Sequence, residues 1–367
     1  MPKLHRNKSR NGLSVLRPTE QNRIYSDLKR RLQAGDFQAE GRLPSLRELA
    51  RLYGSNSGTV HQAVGKLRQD RLLKTHHGRG TFVADPSEKT RQVLLLSRTE
   101  GHEWSDYMRA FSQAFSACPR TRLLIQEVPY GNAQTQEQCR AKVARMIDEG
   151  VDMVLFMGQG EHLEFLAEYQ DRVPLVCFYG RDIALNWNCA SVVSDWFHGG
   201  YAGISHLVSA GCRRIAVLVH TMEPHLRGRT LNEWVEGCES AKRENASPVQ
   251  IELFHAPGND PRADYFARFA EFLKERPDLD GVFGFADYVT APLVGFLQKQ
   301  GRRVPQDLAV LGYYDTPWAQ TPDPPLSSIS TQPAEMAMAV TAIYDTQQWQ
   351  SHVVIKPRLV VRESTRR

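Results

Sequence analysis

No stretch of the chain approaches the ~20 consecutive apolar residues that a membrane-spanning helix requires, and its first residues carry charge where a secretory signal needs an apolar centre. These absences point to a soluble, cytoplasmic protein with no membrane partner. Cysteine is sparse and scattered. Cys118, Cys139, Cys177, Cys189, Cys212 and Cys238 include no C-x-x-C pair and no histidine neighbours at metal spacing, which argues against a disulfide framework and against structural zinc. The common catalytic signatures are missing too: there is no G-x-S-x-G, no H-E-x-x-H and no G-x-x-x-x-G-K-[ST]. Gly158-Gln159-Gly160 is only a fragment of a dinucleotide loop. No catalytic residue, metal ligand or cofactor is assigned.

What is present suffices for two or three compact units: 367 residues, of which 41% are apolar and 24% charged. The formal net charge of +5 conceals an asymmetry. Residues 1–90 hold 18 Lys+Arg against 8 Asp+Glu, whereas the remainder holds 28 against 33. A basic excess confined to one end suits a polyanion partner and not a general strategy for solubility.

Within that basic end, Ser45-Leu46-Arg47-Glu48 is an S-x-x-E capping box that predicts a helix start. Leu46, Leu49, Ala50 and Tyr53 then fall on one face, and Gly54-Ser55-Asn56 supplies a turn. A second helix, with Ser57 as its expected cap, buries Val60, Ala63, Val64 and Leu67. Two short helices across a glycine turn predict a helix-turn-helix, with an upstream helix over about 21–33 completing a three-helix core. Leu72-Leu73-Lys74-Thr75 and Thr81-Phe82-Val83 flank a glycine turn and predict a hairpin, the wing. The start of a recognition helix faces base edges, which nominates Ser57, Gly58, Thr59, His61 and Gln62. Arg47, Lys66, Arg68 and Arg79 are placed to bind phosphates. The acid-free tail over 1–19, with Lys3, Arg6, Lys8, Arg10 and Arg17, is expected to be a disordered basic arm.

The run Leu43-Pro44-Ser45-Leu46-Arg47-Glu48-Leu49-Ala50, followed by Thr59-Val60, Leu72-Leu73 and Gly78-Arg79-Gly80-Thr81-Phe82-Val83, resembles the winged-helix DNA-binding domain of GntR-family regulators over about residues 20–84. That resemblance implies DNA contacts from Arg47, Thr59 and the wing glycine Gly78, and the adjoining His77 is a further DNA-binding candidate. Ser57 and His61 stand where family members often carry arginine, which implies an altered base-reading code.

Residues 85–90 are polar and interrupted by proline, a linker signature, so a second domain is expected over 91–367. There, short β-rich apolar runs (93–96, 123–128, 151–156, 175–179, 215–219, 251–254, 282–285, 308–311) alternate with segments of helical period, the pattern of parallel α/β sheets. Val192-Val193-Ser194-Asp195, Gly211-Cys212-Arg213-Arg214-Ile215-Ala216-Val217-Leu218, Val304-Pro305-Gln306-Asp307-Leu308-Ala309-Val310-Leu311-Gly312-Tyr313-Tyr314-Asp315 and Leu359-Val360-Val361-Arg362-Glu363-Ser364 resemble the LacI/GalR-type effector domain. The fold class implied is α/β: an N-terminal winged helix-turn-helix plus a two-lobed, periplasmic-binding-protein-like domain of Rossmann-like parallel sheets, dimerising through that domain.

Sugars are held by planar hydrogen-bonding groups and aromatic faces at strand ends. This nominates Tyr179, Arg181, Asp195, Phe197, Asp287, Tyr314 and Asp315, with Arg229 and Trp234 nearby on a helix. Tyr314 stands where the family often has aspartate, and Trp234 where it commonly has arginine. The reading is a DNA-binding regulator, a homodimeric repressor of double-stranded operator DNA, controlled by a small polar effector such as a sugar. The alternatives are a C-terminal domain that only assembles the protein, or an enzyme on that fold.

Overall fold

The computed structural model describes residues 20–37, 41–70, 72–76, 78–84, 90–97, 104–128, 133–158, 163–180, 186–220, 229–245, 247–256 and 265–367. The expected basic tail, most of the linker, and His77 and Arg181 lie outside these residues. The chain divides into two compact units, Met1–Thr90 and Arg91–Arg367.

In the first unit, α1 (Glu20–Gln33), α2 (Leu46–Tyr53) and α3 (Ser57–Gln69) precede the antiparallel hairpin β1 (Leu73–His76) and β2 (Gly80–Val83). Ile24 and Leu28 of α1 meet Leu49 of α2 and Val60, Ala63, Val64 and Leu67 of α3 in one core. The capping box forms as expected: Ser45 Oγ accepts from the Glu48 amide, and the Glu48 carboxylate accepts from the Ser45 amide at 2.7 Å. Gly54 ends α2 at φ +60°, where an L side chain is strained. The cap of α3 is a correction. Asn56 holds it, its Oδ1 accepting from the Thr59 amide at 2.8 Å, and Ser57 is already the first helical residue. Asparagine and serine both cap well, so the backbone, not the propensity, decides between neighbours.

The second unit contains two six-stranded sheets. The first lobe runs in the order β13-β7-β6-β5-β3-β4 and is wholly parallel, with β3 Arg91–Ser97, β4 Thr121–Glu127, β5 Met153–Met157, β6 Leu175–Tyr179, β7 Ala190–Ser194 and β13 His352–Ile355. The second lobe runs β14-β12-β11-β10-β8-β9, with β8 Arg214–His220, β9 Gln250–Ala256, β10 Gly281–Gly284, β11 Ala309–Tyr314, β12 Ser327–Ser330 and β14 Arg358–Val360; only β14 is antiparallel. Helices α4 (Trp104–Ala117), α5 (Ala133–Asp148) and α10 (Pro333–Thr346) accompany the first lobe, and α6 (Trp196–Ser209), α7 (Arg229–Glu244), α8 (Tyr265–Glu275) and α9 (Asp287–Lys299) the second. The chain crosses between lobes after β7, after β12 and after β13.

The eight apolar runs all become strands, as periodicity predicts. Strands β7, β12, β13 and β14 were not among them. Strand β12 reads Ser-Ser-Ile-Ser yet is buried, because Ser327 Oγ bonds Thr365 and the Arg362 carbonyl while Ser328 Oγ donates to Asp287. Satisfied hydroxyls can be buried, and no apolar run announces them. The stripes Tyr107/Phe111/Phe115 and Cys139/Val143/Ile147 are core.

Replacing Asn56 by alanine should lower the stability of the first unit by about 1 kcal/mol. Hydrogen exchange of the full chain would show it as lost protection across α3; unchanged protection there would mean that the cap contributes nothing.

Candidate DNA-binding face and ligand cleft

Burial of Val60, Ala63, Val64 and Leu67 turns the opposite face of α3 outward. Ser57, Gly58, His61 and Gln62 are exposed on that face, and Thr59 is half-buried. Arg47 on α2 and Arg68 on α3 are exposed, as are Gly78 and Arg79 in the turn between β1 and β2, where Gly78 has φ +73°. Lys66 differs from expectation. Its Nζ donates to Asn22 Oδ1 on α1 at 2.9 Å and lies over the Tyr25 ring, so it ties α3 to α1. Arg42 was missed by sequence reasoning. The Leu43 amide donates to the Thr81 carbonyl and the Val83 amide to the Gly41 carbonyl, so residues 41–43 run beside β2. Exposed Arg42 thereby lines a groove of about 330 Å3 with Ser45, Thr75 and Gly78. The only signal was a basic residue just upstream of Leu43-Pro44-Ser45.

Among the described residues of the second unit, two tyrosines join the lobes. Tyr179 ends β6 and Tyr314 ends β11; their hydroxyls hydrogen-bond each other and their rings stack with centroids 6.3 Å apart. Both take left-handed backbone, φ +72° and +91°, as does Asp315 at +55°. Such conformations in non-glycine residues cost on the order of 1–3 kcal/mol each and gather at functional sites. At Tyr179 the turn is closed by the Gly180 amide donating to the Phe178 carbonyl at 2.9 Å. Gly158 is glycine because a Cβ there would lie 1.9 Å from the Gly180 carbonyl oxygen, so its glycine serves strand packing. Trp196, the first residue of α6, donates from Nε1 to the Tyr179 carbonyl at 3.2 Å and stacks on Tyr313.

The other nominated residues separate. Trp234 is fully buried against Phe283, Phe285 and Tyr313, so it is core. Its Nε1 and the Tyr313 hydroxyl are buried without hydrogen-bond partners. Phe197 is 39% exposed and stacks on Tyr201. Arg229 is exposed and pairs with Glu233 along α7. Asp195 caps α6, accepting from the His198 amide at 2.9 Å.

Asp287, 1% exposed, does not cap its own helix; Ala286 occupies that position. Instead Asp287 accepts from the Thr316 amide at 2.7 Å, the Thr316 hydroxyl at 3.2 Å and Ser328 Oγ at 2.7 Å. Burial pushes its carboxyl up to about 7, against the lowering effect of the bonds from Ser328 and Thr316. Asp315 accepts from Arg362 at 2.7 Å, and burial raises its carboxyl although Arg362 opposes the shift. Tyr314 and Asp315 also form part of the wall of a cavity of about 430 Å3 facing α4.

The fold and these surfaces define a class: a winged-helix DNA-binding unit joined to a two-lobed unit of the ligand-binding type. Residues 20–83 match the family described as bacterial regulatory proteins, gntR family, and residues 204–365 match the periplasmic binding protein-like domain. The chain is 23% identical over 350 residues to the arabinose metabolism transcriptional repressor of Geobacillus stearothermophilus, covering 91% of this chain and 94% of that one. It is 24% identical to the HTH-type transcriptional repressor PurR of Actinobacillus pleuropneumoniae serotype 3 (strain JL03), covering 88% and 99%. Among solved structures, the transcriptional regulator CelR–cellobiose complex matches with TM-score 0.57 at 21% identity over 88% of this chain and all of that one. A LacI family regulator from Arthrobacter sp. FB24 in complex with lactose matches with TM-score 0.61 at 19% identity, over 76% and 100%. The chain is thus a transcription regulator, not an enzyme, combining a gntR-type DNA-binding domain over residues 20–83 with a periplasmic-binding-protein-like domain over residues 204–365. Among the described residues no helix is long and apolar enough to cross a membrane.

The raised carboxyl of Asp287 has a signed consequence. A folded value near 7 against an unfolded value near 4 means that its contribution to stability is complete below about pH 4, declines as pH rises and is lost above about 7. Urea midpoints of the wild type should therefore fall between pH 5 and pH 8 relative to those of Asp287→Asn. Parallel pH profiles would show that Asp287 does not titrate in that window.

Proposed function

We propose that this regulator is a cytoplasmic homodimeric repressor whose affinity for operator DNA is set by a sugar bound between the lobes of its second unit. The observation that carries the effector half is the Tyr179–Tyr314 contact, because it places the carboxyl ends of two parallel sheets face to face, where α/β folds bind ligands. The named relatives support the sign and the ligand class: one is a repressor of arabinose metabolism, and two solved neighbours hold cellobiose and lactose.

On the DNA side, Ser57, Gly58, Thr59, His61 and Gln62 are the base-reading candidates. Arg47, Arg68, Arg79 and the wing residues His77 and Gly78 are the backbone-contact candidates, with Lys66 holding α3 in place. On the effector side, the candidates are Tyr179, Arg181, Asp195, Tyr314 and Asp315, with Asp287 positioning the loop that follows β11. Phe197, Arg229 and Trp234 have surface or core roles instead. Effector binding that favours one lobe arrangement changes operator affinity by a coupling of about 1–3 kcal/mol.

Duplexes selected from a random library by the full chain would give the operator. Arg47→Ala and Arg79→Ala should weaken binding across sequences and each reduce the salt slope by about 0.9. Gln62→Ala should instead relax preference at one base pair by about 1–3 kcal/mol. No selected duplex, or binding insensitive to salt, would defeat the DNA-binding half. For the effector half, a sugar at about 100 times its Kd should stabilise the protein by about 2.7 kcal/mol in thermal denaturation and shift operator affinity. Stabilisation without any change in operator affinity would defeat the coupling.

A further inference from the structure

We propose that the groove between the wing and the start of α2 seats one deoxyribose phosphate of the operator backbone, with Arg42 as its cation. The inference rests on the DNA-binding reading and deepens it, adding a residue that no sequence motif nominates. The backbone decides where Arg42 points. The Leu43 amide donates to the Thr81 carbonyl at 2.8 Å and the Val83 amide to the Gly41 carbonyl at 2.9 Å, which holds residues 41–43 against β2. Side chains alternate along a strand-like segment, and Leu43 is buried in the core of the first unit, so Arg42 is turned outward and exposed. There its guanidinium crosses the wing at Gly80, where a Cβ would lie 2.8 Å from Arg42 Nε and where φ is +116°. Glycine at position 80 leaves the space that the arginine side chain occupies.

The surroundings of that guanidinium suit a phosphodiester. Among the described residues Arg42 has no hydrogen bond or ion pair, and no carboxylate lines the groove. The carboxylate of Glu48 is engaged by Ser45, which more than Arg42 holds it below its usual range. The Ser45 hydroxyl accepts from the Glu48 amide and keeps its proton to donate. The hydroxyls of Thr75 and Thr81 share one hydrogen bond at 3.3 Å, so one of their two protons is also left over. Donors without acceptors call for an anion, and a guanidinium fork matches paired phosphate oxygens. Pro44, Leu46 and Val64 give the groove an apolar floor, which strengthens charge-assisted bonds above it and offers contact to the C–H groups of deoxyribose. A free anion would meet the same groups, but the groove lies beside exposed Arg79, and residues 1–90 hold 18 Lys+Arg against 8 Asp+Glu. That field favours a polyanion over a small anion.

The test uses the full chain and a duplex that it selects from a random library, with binding followed across a salt series. Arg42→Ala should weaken binding to the selected duplex by about tenfold, the loss of one charge-assisted hydrogen bond, and weaken binding to an unrelated duplex by a similar factor. It should also reduce the salt slope by about 0.9. Arg42→Lys should restore the slope but only part of the affinity, because a point charge replaces the fork. Single methylphosphonates, each removing one backbone charge, should reveal a position at which the wild type loses affinity and Arg42→Ala does not. Lost affinity with the salt slope and the methylphosphonate pattern unchanged would show that Arg42 only braces the wing, which overturns the proposal. Saturable binding of thymidine monophosphate that Arg42→Ala abolishes, with duplex binding untouched, would assign the groove to a free anion and overturns it as well. A wild type that selects no duplex defeats the DNA-binding reading itself, whereas a selected duplex bound equally by Arg42→Ala defeats this site alone.

Discussion

The second unit is organised around one contact, the hydroxyl pair of Tyr179 and Tyr314. Two parallel sheets whose carboxyl ends face each other leave strand ends that must turn away at once. At β6 and β11 the chain does so through left-handed backbone at tyrosine, which glycine would adopt with less strain. What holds the tyrosines there is the rest of the aromatic cluster: Trp104 and Trp196 pack edge-on against Tyr179, and Trp196 adds its indole bond to the Tyr179 carbonyl. Each hydroxyl is satisfied by the other, so neither is buried without a partner. The crossovers after β7, β12 and β13 connect the lobes covalently, but this pair is where one sheet end touches the other.

Behind that contact lies a polar network that fixes the loop after β11. Asp287 fastens Thr316 and Ser328, the Ser328 hydroxyl accepts from the Asp315 amide at 3.0 Å, and Arg362 holds the Asp315 carboxylate. The network explains how consecutive residues can serve different ends: Tyr314 reaches the other lobe, Asp315 faces the cavity, and Thr316 anchors both. On the opposite side of the second lobe's core, α6 and α7 cross so closely that a Cβ at Gly200 would lie 2.0 Å from the Trp234 carbonyl oxygen, and one at Gly237 would lie 1.9 Å from that of Phe197. That crossing buries Trp234, which therefore strengthens the lobe and cannot present a polar group to a ligand.

The first unit achieves its function by a simpler division. One stripe of α3 is consumed by the core, and the stripe that remains is polar and exposed. The charge asymmetry along the chain places the net cationic excess on this unit alone. Arg47 and Arg79 stand free on the surface, whereas Lys66 is held by Asn22, so not every basic residue on the recognition helix is available to phosphate.

Periodicity and caps sufficed to read the winged helix and the succession of strands and helices, because apolar spacing and capping boxes are local and each element carries its own signal. The nomination of Tyr314 and Asp315 likewise needed only their place at the end of a β run. Other features were decided by tertiary structure. Strand β12 is buried by hydroxyls whose partners lie tens of residues away, so no apolar run marks it. Asp287 looks like a ligand group in sequence and becomes a tether because Thr316 and Ser328 come to it. Asp106, Arg109 and Gln113 form an ordinary polar helix face until the second lobe stands opposite. The sequence by itself determined most of the elements and the class of protein; only the tertiary structure decided which polar side chains meet across the lobes, since that meeting depends on contacts that no local pattern encodes.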